Sequence, residues 1–192
     1  MNFVDKASAV LARCDRVLRV IEKTGVAIAG ILMFMIMLVV VTDVVMRYFF
    51  NSPLEWSYEL ISLYLMVGCF FFALSDTLAA NAHVAVDILH LYMPERMRHA
   101  AEFVGYFLAT PVFAAIFYMS VINTWDAYQG GDVLAGHIPW PTWVAAICVP
   151  IGVGVLVLRM AFRTIGHALS FIAKRSVIAL PPVSGMEEAE AL

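Results

Sequence analysis

The chain has 192 residues, of which 62% are hydrophobic and only 14% are charged, and its formal net charge is −3. Soluble domains average about 45–50% apolar and about 25% charged residues, so this composition is typical of a membrane protein. The small net charge argues against binding to nucleic acid or to a polyanionic substrate, and the length allows one bundle of spans but not two soluble cores.

The first segment, residues 1–24, is predicted to form a basic amphipathic helix. Apolar residues recur every three or four positions from Phe3 to Ile21, and five lysine or arginine residues lie between them. The segment lacks the small-residue cleavage site of a signal peptide, so we interpret it as retained. We expect it to lie on the cytoplasmic membrane surface, with its cations near anionic lipid headgroups. In the alternative, its apolar stripe packs on a partner subunit.

Four apolar segments follow, and each is long enough to cross a bilayer. About twenty apolar residues in a helix match the ~30 Å hydrocarbon layer. The predicted spans cover about 25–47, 55–77, 101–125 and 139–160. The sequence therefore predicts an all-α membrane protein with a four-helix transmembrane region over 25–160 and an N-terminal surface helix. Residues 161–192 are predicted to form a cytoplasmic C-terminal arm with a disordered acidic tail.

Lysine and arginine residues are distributed unevenly over the predicted connectors. The N-terminal segment holds five, the second connector two and the stretch from Arg159 to the C-terminus four, whereas the first connector with its flanking residues holds one, Arg47, and the third none. Positive charge stays on the cytoplasmic side of a membrane. Both termini are therefore expected in the cytoplasm, and the loops around 51–56 and 126–137 on the outer side.

Several polar residues cluster where the first two spans meet the outer boundary. Asp43 and Arg47 are four apart and share one helix face, where they either form a pair or only mark the water interface. Glu55 and Glu59 are also four apart, and either neutralise Arg47 or meet a cation of a partner. Trp56 suits the headgroup boundary. The two glutamates could also suggest a cation site or acid/base catalysis. The sequence offers no third ligand for the cation and no nucleophile for the catalysis.

The histidines and cysteines do not predict a cofactor. His83 and Asp87 would face each other on one helical turn of the second connector, where we expect them to order it. A haem in a helical bundle needs two histidines at depth on facing spans, but all five histidines lie at or beyond span ends. Cys14, Cys69 and Cys148 have the spacing of neither a zinc site nor a disulfide framework. We predict no catalytic residue, metal or cofactor in this chain.

Three sequence features together resemble a known transporter family. The first span ends in an Arg-Tyr-Phe cluster at 47–49, the second begins with LEWSYEL at 54–60, and AHVAVD follows at 82–87. With the basic N-terminal helix, these resemble the small membrane subunit of a tripartite ATP-independent periplasmic (TRAP) transporter, the Q or DctQ-type component. The resemblance covers nearly the whole chain and is sharpest from Arg47 to Asp87.

The resemblance implies a subunit of a sodium-coupled secondary transporter for organic acids in the bacterial inner membrane. The partners it implies are a large M-type membrane subunit, which carries the substrate and sodium sites and moves like an elevator, and a P-type periplasmic substrate-binding protein. The small subunit would be no enzyme but a scaffold in contact with membrane lipids, which stabilises the large subunit and helps to dock the binding protein.

That role suggests where the candidate residues act. Arg47, Glu55, Trp56 and Glu59 are predicted to fix the packing of the first two spans and the outer interface, while His83 and Asp87 order the second connector. Two other functions stay open: a stand-alone four-helix exporter, which would transport when reconstituted alone, and a membrane redox subunit, whose cofactor would show in a visible spectrum.

Overall fold

The computed structural model describes residues 3–80, 95–134 and 138–173, which are helical apart from short connections. The helices are α1 (Phe3–Phe49), α2 (Ser57–Ala79), α3 (Glu95–Gly130), α4 (Thr142–Ala146) and α5 (Cys148–Ala173). Within α2, a π-helical turn at Ile61–Leu65 separates two α-helical parts. The only β pairing in these ranges is an isolated bridge between Val133 and Pro141.

Four helical stretches are long and apolar enough to cross a membrane. They are Leu11–Phe49, Ser57–Ala79, Met97–Gly130 and Thr142–Ser170. Within their most apolar windows, 33% of the residues are buried in the fourth stretch, compared with 6% in the first and none in the third. The prediction of an all-helical chain with four potential spans is therefore confirmed, and α5 is its central helix.

The start of α1 differs from the sequence-based expectation. No break separates residues 3–24 from the first span, because α1 is one continuous helix of 47 residues. At 1.5 Å per residue it is about 70 Å long, more than twice the ~30 Å hydrocarbon layer. Gly25 does not interrupt it, since one glycine inside a helix costs only about 1 kcal/mol. Placement of the first turns on the membrane surface stays a prediction.

The packed residues of α1 form one narrow seam. From Leu11 to Met46, its buried and half-buried residues alternate strictly between spacings of four and three. This is the heptad pattern of a helix that packs along a single seam. The rest of the α1 surface is exposed and almost entirely apolar from Val26 to Val45. In a membrane, that surface faces lipid or another subunit.

The helices pack around α5 in an open arrangement. α5 contacts α1, α2 and α3, while α2 lies between α1 and α5. A small core joins three of the helices near one end, with buried Leu78, Leu156 and Met160 packed against half-buried Tyr106 and Phe113. α3 is therefore held mainly through α5.

Two glycines let α2 approach its neighbours closely. A Cβ atom added at Gly25 of α1 would lie 2.7 Å from the carbonyl oxygen of Phe72, and one added at Gly152 of α5 would overlap the carbonyl oxygen of Phe71. Small residues at such points are typical of helix packing in lipid, where van der Waals contact replaces the hydrophobic effect. The order α1, α2, α5 therefore depends on backbone contact at both faces of α2.

Candidate functional sites at the two ends of the bundle

The polar side chains gather at two ends of the bundle. We call the end at which α1 begins and α5 finishes the terminal end. The opposite end, which carries residues 50–56, 131–134 and 138–141, is the loop end. Between them, the spans contain no Asp, Glu, Lys, Arg or His over residues 25–42, 60–75, 103–125 and 138–158. The ionisable side chains of this chain therefore lie towards the two ends of its spans.

A buried arginine joins three helices at the terminal end. The guanidinium of Arg159 on α5 donates from Nε to Glu22 Oε1 at 2.7 Å, from Nη2 to Glu22 Oε2, and from Nη1 to Asp15 Oδ1 at 2.6 Å. Ser75 of α2 donates its hydroxyl to Glu22 Oε1 at 2.8 Å. Arg159, Glu22 and Ser75 are each at most 3% exposed. We call Asp15, Glu22, Ser75 and Arg159 the arginine cluster.

Arg19 balances the charge of the arginine cluster. Arg19 donates from Nε to the second oxygen of Asp15 at 2.7 Å, so two guanidinium groups face two carboxylates. Bidentate pairing between arginine and a carboxylate is among the strongest hydrogen-bonded arrangements in proteins. Because the pair is buried, removing one partner would strand a charge that the apolar surroundings cannot solvate. The cluster therefore fixes α1, α2 and α5 relative to one another.

Sequence reasoning missed this cluster. Asp15 and Glu22 lie within the segment 1–24 that was predicted to be a surface helix, and Arg159 was counted only among the cations that indicate orientation. One signal was present, because Asp15 and Glu22 are seven apart and both lie on the packing seam of α1. An acidic residue on the apolar seam of a membrane helix indicates a specific partner.

A second group of polar side chains joins α3 to α5 at the terminal end. His99 Nδ1 and His167 Nδ1 are 3.1 Å apart, and both rings are buried. One ring must carry the hydrogen on Nδ1 and the other must accept it. The ring of Tyr106 stacks on His167, and Arg163 donates to Tyr106 Oη at 2.7 Å and to the carbonyl oxygen of Ala79 at 3.1 Å. This histidine cluster therefore also connects to the end of α2.

The pairing of these histidines was not expected from their positions near span ends. Two imidazoles are too few to hold a structural metal ion in the usual four-ligand geometry. Within the described part of the chain, no group of three or more His, Cys, Asp or Glu side chains is arranged to hold a metal ion. The contacts of this cluster that the structure describes are hydrogen bonds and ring packing, mainly between α3 and α5.

At the loop end, Asp43 binds two groups. Its Oδ2 accepts from Arg47 Nη2 at 2.7 Å, and its Oδ1 accepts the backbone N–H of Leu54 at 2.8 Å. Arg47 is otherwise turned outward, with 61% of its side chain exposed. The two residues predicted to share a helix face thus form an ion pair, and Asp43 also holds the connector against the end of α1.

The remaining candidates lie at the start of α2. Trp56 is half-buried directly before Ser57, and Glu55 is exposed. Glu59 is half-buried, and its Oε2 is buried without a hydrogen-bond partner in the ranges that the structure describes. His83 and Asp87 lie outside the described residues.

An aromatic contact joins α2 to the beginning of α4. Tyr64, within the π-helical turn, donates its hydroxyl to the carbonyl oxygen of Pro141 at 2.5 Å, and its ring lies 5.6 Å from that of Trp140. Single π-helical turns inside α-helices frequently mark functional positions. The loop end is therefore held by Asp43 on one side and by Tyr64 on the other.

Comparison with known proteins identifies the family. The family model described as tripartite ATP-independent periplasmic transporters, DctQ component, matches residues 36–170. The chain is 32% identical over 151 residues to the sialic acid TRAP transporter permease protein SiaT of Haemophilus influenzae (strain 86-028NP). This alignment covers 77% of the chain but only 23% of that relative. No solved structure gives a significant match. The chain is a multi-pass membrane protein and belongs to the DctQ component family of TRAP transporters.

Proposed function

We propose that this chain is the small membrane subunit of a sodium-coupled TRAP transporter for organic acids, and that it serves as a fixed scaffold. In this role it stabilises an elevator-type large subunit in the bacterial inner membrane and helps to dock a periplasmic substrate-binding protein. The family match supports the transporter assignment. The relative named as a sialic acid permease supports a carboxylate as substrate.

The placement of polar groups carries the scaffold assignment. Secondary transporters bind substrate and ions near the bilayer midplane, at interrupted helices whose ends point to the ligand. In this chain, the charged residues lie at the two ends and leave the middle of all four spans uncharged. The arginine cluster and the close contacts of Gly25 and Gly152 hold α1, α2 and α5 together. Such a bundle is suited to staying still while a neighbour moves, with sodium bound in that neighbour.

The cation distribution supports a cytoplasmic terminal end. Eleven of the twelve lysine and arginine residues belong to the terminal side, and only Arg47 belongs to the loop side. The loop end would then face the periplasm, and Glu55, Trp56 and Glu59 would lie on the side where the binding protein docks.

Glu59 is the residue that we expect to bind a cation of the large subunit. Arg47 is the only lysine or arginine on the loop side and already bonds Asp43. Replacing Glu59 by glutamine should therefore weaken assembly, because a hydrogen bond to a charged group contributes about 1.5–3 kcal/mol, roughly tenfold or more in affinity. The measurement is the yield of large subunit that co-purifies with the tagged chain.

A matched control separates assembly from folding. Asp126→Asn removes a different carboxylate near the loop end, one that is exposed, and should leave the yield unchanged. The Glu59→Gln chain alone should melt at the same temperature as the unchanged chain. Normal co-purification with Glu59→Gln would remove this residue from the interface, while failure of the unchanged chain to bind any large subunit would contradict the scaffold role itself.

A further inference from the structure

A narrow cavity opens between α1 and α5. Its volume is about 280 Å³, and its floor is formed by Phe71 and Phe72 of α2. The walls are mostly apolar, with Val20, Ile21, Gly25 and Ile28 on α1 and with Ile151, Gly152 and Val155 on α5. Glu22 and Ser75 of the arginine cluster also line it. We call this cavity the α1–α5 slot.

The size of the α1–α5 slot limits what can fill it. A helix with its side chains is about 10 Å across. α1 and α5 contact each other, so a helix of another subunit cannot enter between them. A single extended hydrocarbon chain is narrow enough, and lipid chains surround a helix bundle in a membrane. The shape and the apolar walls therefore fit an acyl chain.

Cations lie on α1 next to the slot. Arg13 precedes Val20 by seven residues, so it lies on the same helix face about 10 Å towards the terminal end. Arg13 and Arg16 are exposed and have no ion-pair partner among the described residues. In contrast, Arg19 and Arg159 are already paired with carboxylates. Two uncommitted guanidinium groups beside an apolar slot match a phosphate attached to a hydrocarbon chain.

We propose that the α1–α5 slot binds one acyl chain of an anionic phospholipid, whose headgroup is held by Arg13 and Arg16. The bound chain fills space that the side chains of the described residues leave empty, and it supports the contact of α1 with α2 and α5. This inference concerns a lipid site within the chain itself and goes beyond the scaffold role proposed above.

Lipid retention by the full-length chain tests the proposal. The chain is purified in neutral detergent, supplied with phosphatidylglycerol or phosphatidylcholine carrying the same acyl chains, and examined by native mass spectrometry. We expect phosphatidylglycerol to be retained roughly tenfold or more over phosphatidylcholine, since each basic residue near a membrane surface contributes about 1 kcal/mol towards anionic lipid. Equal retention of the two lipids would overturn the proposal.

Three variants assign the retained lipid to the slot. Val155→Phe should fill the slot and reduce retention of phosphatidylglycerol about tenfold, and Ile28→Trp gives an independent filling if the first variant folds poorly. Arg13→Ser combined with Arg16→Ser should abolish the preference for phosphatidylglycerol. Arg47→Ser removes the cation at the loop end and should leave the retention of phosphatidylglycerol unchanged. Unchanged retention in the filled or the double-serine variants would place the lipid elsewhere.

A photo-crosslinking amino acid identifies the occupant in the assembled transporter. Placed at Ile28, it should crosslink to phospholipid, which is then identified by mass spectrometry. A crosslink to a side chain of the large subunit instead would show that protein fills the slot, and would contradict the proposal.

Discussion

Replacing Arg159 by alanine is expected to lower the stability of the bundle by about 3–5 kcal/mol, the range found when one partner of a buried ion pair is removed. The substitution would leave Glu22 buried without its bidentate partner and Asp15 with Arg19 alone. The measurement is the free energy of unfolding of the purified chain, taken from denaturation in mixed micelles.

Two further variants test the reason for this loss. Arg19→Ala removes an arginine that is 68% exposed, and exposed ion pairs contribute only about 0.2–1 kcal/mol. Replacing Glu22 and Arg159 together by leucine should recover much of the loss, because apolar residues often substitute for a buried pair. If Arg159→Ala costs no more than Arg19→Ala, the arginine cluster does not hold the three helices together.

Replacing Gly152 by alanine is expected to destabilise the bundle by about 1–3 kcal/mol, the usual cost of inserting one extra group into a tightly packed interior. The new methyl group would overlap the carbonyl oxygen of Phe71, which is backbone and cannot rotate away. α5 would have to move from α2, and the arginine cluster would lose its geometry. Unfolding in mixed micelles again measures the effect.

Gly30→Ala is the control, because we expect it to stabilise the bundle where Gly152→Ala destabilises it. A Cβ atom at this position meets nothing within 4 Å, and Gly30 lies on the exposed surface of α1. Glycine to alanine at an unstrained position stabilises by about 0.4–1 kcal/mol through the unfolded state. Equal effects of Gly30→Ala and Gly152→Ala would refute the close approach of α2 and α5.

The four spans could be predicted from the sequence because the length of an apolar run is read from consecutive residues. The pairing of Asp43 with Arg47 also depends on local spacing, since residues four apart share a helix face. The helices extend beyond the predicted spans, as α3 runs from Glu95 to Gly130 around a span predicted over 101–125. Charged and aromatic residues extend a helix beyond the hydrocarbon layer, so hydropathy marks the span and not the helix.

The contacts that join the helices could not be predicted in the same way. Arg159 and Glu22 are separated by 137 positions, and His99 and His167 by 68. Which helices become neighbours depends on shape, such as the close approach permitted by Gly152, and this is not encoded in hydropathy. The continuity of α1 was also missed, because the change from a basic to an apolar surface near residue 24 is a change of environment and not a helix-stop signal.

Sodium-driven uptake into proteoliposomes tests the scaffold role most directly. Labelled sialic acid and a labelled dicarboxylate are offered with the periplasmic binding protein to vesicles that contain this chain alone, the large subunit alone, or both. If the chain is a scaffold, uptake of a carboxylate occurs only when both membrane subunits are present. Uptake, or binding of sodium or substrate, by vesicles containing this chain alone would contradict it.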